Sequence, residues 1–126
     1  MPHLTLEYSS NLAPQTDISV LFEEIHGFLS DTAGIRIENC KSRARIADPF
    51  FVGTGEANNA FVHLDVRFME GRTLEVKQQL GEQIKDALVT GFGAKRSAMD
   101  IQITVEVRDI ERANYVKYPQ GTLTPL

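Results

Sequence analysis

Leu4, Leu6 and Tyr8 alternate with His3, Thr5 and Glu7, the period-two pattern of a strand with one buried face. A turn-rich stretch follows from Ser9 to Asp17, with Asn11 and Pro14 in it. Ile18, Leu21, Phe22, Ile25 and Leu29 then recur at helical spacing, with Thr16 or Asp17 placed to cap the helix and Gly34 to close it. A second strand is expected from Cys40 to Ala47, ended by Asp48-Pro49. Asp48 to Asn59, with Pro49, Gly53 and Gly55, reads as a loop or short hairpin. Val62, Leu64, Val66 and Phe68 restore the alternation in a third strand over Phe61 to Phe68. A long helix follows Gly71-Arg72-Thr73, with a stripe of Leu74, Leu80, Ile84, Ala87 and Leu88 and with Gly91 and Gly93 to terminate it. Ile101, Ile103, Val105 and Val107 form the cleanest alternation, a fourth strand, and a mostly polar tail runs from Asp109 to Leu126.

The two halves match. His3 to Tyr8 and His63 to Phe68 agree in polarity at every position, at an offset of 60 residues, and each is followed by a helix and another strand. The order βαβ–βαβ predicts one α+β domain over 1–126, with units of about 2–48 and 60–108 and a four-stranded mixed sheet. Two helices cover one face of such a sheet. The other carries His3, Thr5, Glu7, Phe61, His63, Asp65, Gln102, Thr104 and Glu106, too mixed for a dry core and too apolar at Phe61 for a plain solvated surface. A homo-oligomer that covers this face is expected, with the tail 109–126 packing on a neighbouring subunit.

Composition changes this picture by exclusion. With 126 residues, 42% hydrophobic and 24% charged, the chain has an ordinary globular balance. The net charge of −4 argues against a general nucleic-acid or anionic-membrane surface while leaving room for a local basic pocket. The single cysteine, Cys40, excludes an intrachain disulfide and a cysteine-based zinc cage, and His3, His26 and His63 have no metal-ligand spacing. No apolar run is long enough to cross a bilayer and no signal segment is evident, so a soluble cytoplasmic protein is expected.

Four residues carry candidate chemistry. If Met1 is removed, Pro2 becomes a free secondary amine, and an α-amino group near cations is neutral enough at working pH to act as a general base. The alternative is a strand-opening proline with no donor to waste. Arg72 stands just before a helix N-terminus, where a guanidinium and free backbone N–H groups make a carboxylate cradle; a solvated loop arginine is the plainer reading. Lys41 and Arg43, with Arg45, alternate on one face of the second strand, as expected for an anion site or for a charge-guarded edge strand.

Taken together, Met1-Pro2-His3, Lys41-Ser42-Arg43, Ala60-Phe61-Val62-His63, and Gly71-Arg72-Thr73-Leu74-Glu75 with Gln78-Gln79 and Gly81-Glu82 resemble the 5-carboxymethyl-2-hydroxymuconate isomerase family of the tautomerase superfamily. The likeness runs from Pro2 to about Val107 and is weaker in the tail. It implies a trimer of duplicated βαβ chains and an isomerase that uses neither cofactor nor metal. Its substrate would be a small unsaturated polycarboxylate of homoprotocatechuate (4-hydroxyphenylacetate) catabolism, a proton moving from the 2-hydroxyl to carbon 5. Carried over, Pro2 is the proton shuttle, Arg72 binds and polarises a carboxylate or the developing 2-oxo group, and Lys41, or alternatively Arg43, holds another carboxylate. The family position aligned with Lys41 is usually arginine, and lysine supplies a point charge in place of a bidentate fork. The alternatives are a broader keto–enol tautomerase of small 2-oxo acids and a non-catalytic oligomeric module that binds an anionic metabolite.

Overall fold

The computed structural model describes residues 1–119. Six main elements follow in order: β1 (His3–Ser9), α1 (Ile18–Ala33), β2 (Lys41–Ala47), β3 (Asn59–Met69), α2 (Leu74–Gly91) and β4 (Asp100–Ile110). The sheet order is β2-β1-β3-β4, with β1 parallel to β2, β3 parallel to β4, and an antiparallel seam between β1 and β3. The seam carries the sequence repeat into three dimensions. His3 pairs with Arg67 and Glu7 with His63, so a shift of 60 residues maps this ladder onto itself about the Thr5–Asp65 pair. The similarity of the two halves is therefore a physical near-twofold in the sheet.

Both helices lie on one face, as their stripes require. Leu4, Leu6, Val62, Leu64, Val66 and Phe68 point from the central strands into Leu21, Ile25 and Leu29 of α1 and Leu80, Ile84 and Leu88 of α2, all of them buried. Each such side chain contributes roughly 1.5–3 kcal/mol by leaving water. Asp17 rather than Thr16 caps α1, its Oδ1 accepting from the Ser19 N–H at 2.7 Å, and Thr73 caps α2 by accepting from the Val76 N–H at 3.2 Å. Gly34 ends α1 in the left-handed conformation (φ 66°), its N–H shared by the Leu29 and Ser30 carbonyls.

Three details differ from the sequence expectation. Leu74 is 67% exposed and does not belong to the α2 stripe. At about 100° per residue it sits roughly 80° round the helix from Ile84. Gly91 is the last residue of α2 rather than its stop; a Cβ there would come within 3.2 Å of the Leu21 side chain, so its role is close packing against α1. Cys40 closes a short turn through a bond from its N–H to the Ile37 carbonyl at 3.0 Å, and β2 starts one residue later.

The opposite face of the sheet is held by polar pairs. Arg108 donates to both Asp65 oxygens, Nε at 2.7 Å and Nη2 at 3.0 Å, and Arg67 reaches the same carboxylate at 3.6 Å. His63 Nδ1 shares a hydrogen bond of 2.7 Å with the Thr104 hydroxyl. Beyond β4 the tail turns back across this face to the start of β1; its residues 120–126 lie outside those described.

Candidate active site

The site is built around the amino terminus, because β1 begins there and β2 is paired to it in parallel. That register sets Lys41 beside His3, and the Lys41 N–H donates to the Pro2 carbonyl at 3.1 Å. Pro2 itself is buried. Lys41 is exposed, its Nζ donating to the Asn39 carbonyl at 2.9 Å. Here Pro2 nitrogen is in a peptide bond, and the free amine is that of Met1. This amine is pushed below its ordinary value first by burial, then by the positive charges of Lys41, Arg72 and Lys117. Cys40 acts weakly the other way, and its own thiol is pushed up to about 11 by burial, which keeps it protonated near neutral pH.

Arg72 arrives from the turn between β3 and α2, where Gly71 takes a φ of 120° open only to glycine. Its placement corrects the sequence reading. The guanidinium turns away from the N-terminus of α2 and docks on the C-terminus of α1, Nε and Nη2 donating to the Ala33 carbonyl at 3.2 and 3.1 Å. A cation is favoured there by the helix dipole, and Ala33 is one of the carbonyls the helix leaves unpaired. The Phe68 ring lies 5.5 Å beneath the guanidinium carbon. Nη1 makes no hydrogen bond among the described residues. Burial, followed by the charge of Arg112, lowers the Arg72 pKa from its high ordinary value. Met1, Gly34, Ile35, Arg36, Asn39, Phe68, Met69 and Arg72 line a cavity of about 30 Å³, room for about one water.

The four sequence candidates do not all converge. Pro2, Lys41 and Arg72 share the amino end of β1, whereas Arg43 faces along the open sheet, Nη1 and Nη2 lying 3.2 and 3.3 Å from His3 Nδ1. The residue that sequence reasoning missed is Lys117. It sits in the tail, half-buried, with Nζ 3.8 Å from Met1 Sδ. Only its charge was legible, in a segment with no periodicity to place it. A larger groove of about 560 Å³ lies at the far end of β1, between Leu12, Phe92 and Met99, and carries none of these residues.

A duplicated βαβ sheet whose first strand follows Pro2, with the amino terminus under the positive charges of Lys41, Arg72 and Lys117, has a tautomerase-superfamily architecture. The chain belongs to the 5-carboxymethyl-2-hydroxymuconate isomerase family, whose model matches residues 2–120. It is 27% identical over 110 residues to the 5-carboxymethyl-2-hydroxymuconate Delta-isomerase of Escherichia coli, covering 87% of each chain. A 5-carboxymethyl-2-hydroxymuconate isomerase structure from Deinococcus radiodurans R1 superposes with a TM-score of 0.81 at 29% identity, over 92% of this chain and 87% of that one. The same fold appears in a fused 4-OT symmetric trimer, with a TM-score of 0.70 at 18% identity, over 93% of this chain and 92% of that one.

Proposed function

We propose that the protein, once Met1 is removed, isomerises 5-carboxymethyl-2-hydroxymuconate in the cytoplasm as a step of homoprotocatechuate catabolism. The observation that carries this reading is the amino terminus seated among Lys41, Arg72 and Lys117. The Pro2 amine takes the proton of the 2-hydroxyl. The O–H bond pair becomes the C2=O bond, the C2=C3 pair moves to C3=C4, and the C4=C5 pair takes the proton back from Pro2 at carbon 5. One group serves as base and then as acid, so the proton count closes. Arg72 and Lys41 hold carboxylates and stabilise the dienolate that develops between the two transfers. Protein groups supply every part of the step.

The same cations tune the base. Only the neutral amine accepts a proton, so kcat/KM rises with pH through the amine pKa. That limb is expected below the usual α-amino range of about 7.7–8.0. Lys41→Gln removes one of the charges that lower it and is expected to move the limb to higher pH, with burial still holding part of the shift. A pH–rate profile unmoved by Lys41→Gln would remove Lys41 from the base's surroundings.

The assembly is proposed to be a homotrimer. Supporting this are the half-polar open sheet face, the exposed apolar side chains of Ile46, Phe51, Val116 and Tyr118, and the likeness to a trimeric fold. The outward side of the tail 109–126, which carries the exposed Val116 and Tyr118, is proposed to pack on a neighbouring subunit while Tyr115 and Lys117 stay on their own chain. Solution sizing is expected to give three copies; a monomer at micromolar concentration contradicts the assembly.

The function is tested by following dienol ketonisation spectroscopically with protein whose intact mass shows that Met1 is gone. Rapid turnover of 5-carboxymethyl-2-hydroxymuconate is expected. Stoichiometric binding without turnover would favour an anion-binding module.

A further inference from the structure

Lys117 has a placement that the reaction as written leaves unexplained. After β4 the chain makes a short turn, Arg112–Asn114, and comes back to β1. There Tyr115 Oη meets His3 Nε2 at 2.7 Å, with the two rings edge to face at 5.9 Å. Arginine can only donate, so the approach of Arg43 makes His3 Nδ1 the acceptor; Nε2 then carries the hydrogen and donates to Tyr115. Burial first, and then Arg43, lower the His3 pKa, in keeping with a neutral ring. This clamp ties the tail to the first residue of β1.

From the clamp onward the tail alternates. Val116 and Tyr118 are 90% and 95% exposed, whereas Tyr115 and Lys117 turn toward their own chain. Lys117 Nζ thereby reaches the Met1 side chain and meets no carboxylate among the described residues. A third cation brought to a place already holding Lys41 and Arg72, with no carboxylate bonded to it among the described residues, is unfavourable until a ligand supplies negative charge. Its present neighbour is the Met1 thioether, a weak partner that departs with Met1.

We propose that Lys117 is a specificity-determining residue that receives the third carboxylate of a tricarboxylate substrate, delivered to the site by the His3–Tyr115 clamp. The inference rests on the functional reading above and adds to it a division of labour. Arg72 and Lys41 take the two carboxylates of the muconate chain, and Lys117 takes the one on the carboxymethyl branch. A substrate without that branch leaves Lys117 unused.

The test compares processed wild type, Lys117→Gln and Lys117→Arg on 5-carboxymethyl-2-hydroxymuconate and on 2-hydroxymuconate. For Lys117→Gln, with each substrate measured at its own pH optimum, the KM for the tricarboxylate is expected to rise about tenfold or more beyond any change in the KM for the dicarboxylate. Lys117→Arg is expected to restore most of the loss. An equal rise for both substrates, or no change for either, overturns the proposal. If wild type turns over neither compound, the functional reading fails and a binding measurement still decides Lys117. Calorimetry with propane-1,2,3-tricarboxylate and with glutarate should then show a preference for the tricarboxylate that Lys117→Gln abolishes. Identical binding by variant and wild type refutes it.

Discussion

Pro2→Ala is expected to lower kcat/KM for dienol ketonisation about 100-fold, and wild type that keeps Met1 to lose about 10⁴-fold, the two ends of what one general base contributes. The grading follows from the nitrogen. Alanine leaves a primary amine at position 2, but one free to rotate and without the ring that holds it. Retained Met1 turns the proline nitrogen into a tertiary amide that is neither basic nor a donor. The substitution is expected to spare the fold, because Pro2 anchors β2 through its carbonyl, which accepts the Lys41 N–H, and any residue keeps that carbonyl. Thermal melting of the variant should stay within a few degrees of wild type. A Pro2→Ala rate equal to that of wild type, at matched N-terminal processing, would leave the anion-binding module as the better account.

Arg72→Ala is the second large effect, and it has two parts that are measured apart. Loss of the guanidinium is expected to lower kcat by about 10²–10³, the cost of removing one charge-stabilising donor from a developing oxyanion. It also strips the Ala33 carbonyl of both its bonds to Arg72, which costs about 1–3 kcal/mol of stability. Denaturant unfolding reads the second part, and kcat taken well below the melting transition reads the first. Arg72→Lys separates them further, since lysine restores the charge without the planar fork that grips Ala33. A variant that loses stability but keeps full kcat would make Arg72 a clasp for the end of α1 and nothing more.

Much of the fold was legible because one-dimensional periodicity and burial coincide. The alternations of β1 and β3 and the stripes of α1 and α2 became the core, and the matched hexapeptides became the seam. Pro2 and Lys41 were legible as neighbours once β1 and β2 were read as parallel partners. What stayed hidden depended on contacts between distant segments. Arg72 was read against its own helix, yet its bonding partner, Ala33, ends the other one. Arg43 shares a strand face with Lys41 but swings to His3, a choice of side-chain direction that spacing does not encode. Lys117 lies in a polar tail whose path is set by one tyrosine–histidine contact.

The near-twofold at the Thr5–Asp65 pair makes the chain architecturally double, yet the proposed chemistry is single. Under the 60-residue shift, Pro2 corresponds to Val62, an interior residue of β3 buried beneath the helices. A peptide nitrogen in mid-chain is not basic, and no side-chain substitution at position 62 makes it so. The second half can therefore contribute Arg72 from its β3–α2 turn but no second amine. With Pro2 as the base proposed above, one protomer would offer one reactive amine, and a fully processed assembly would have as many turnover centres as chains while containing twice that number of βαβ units.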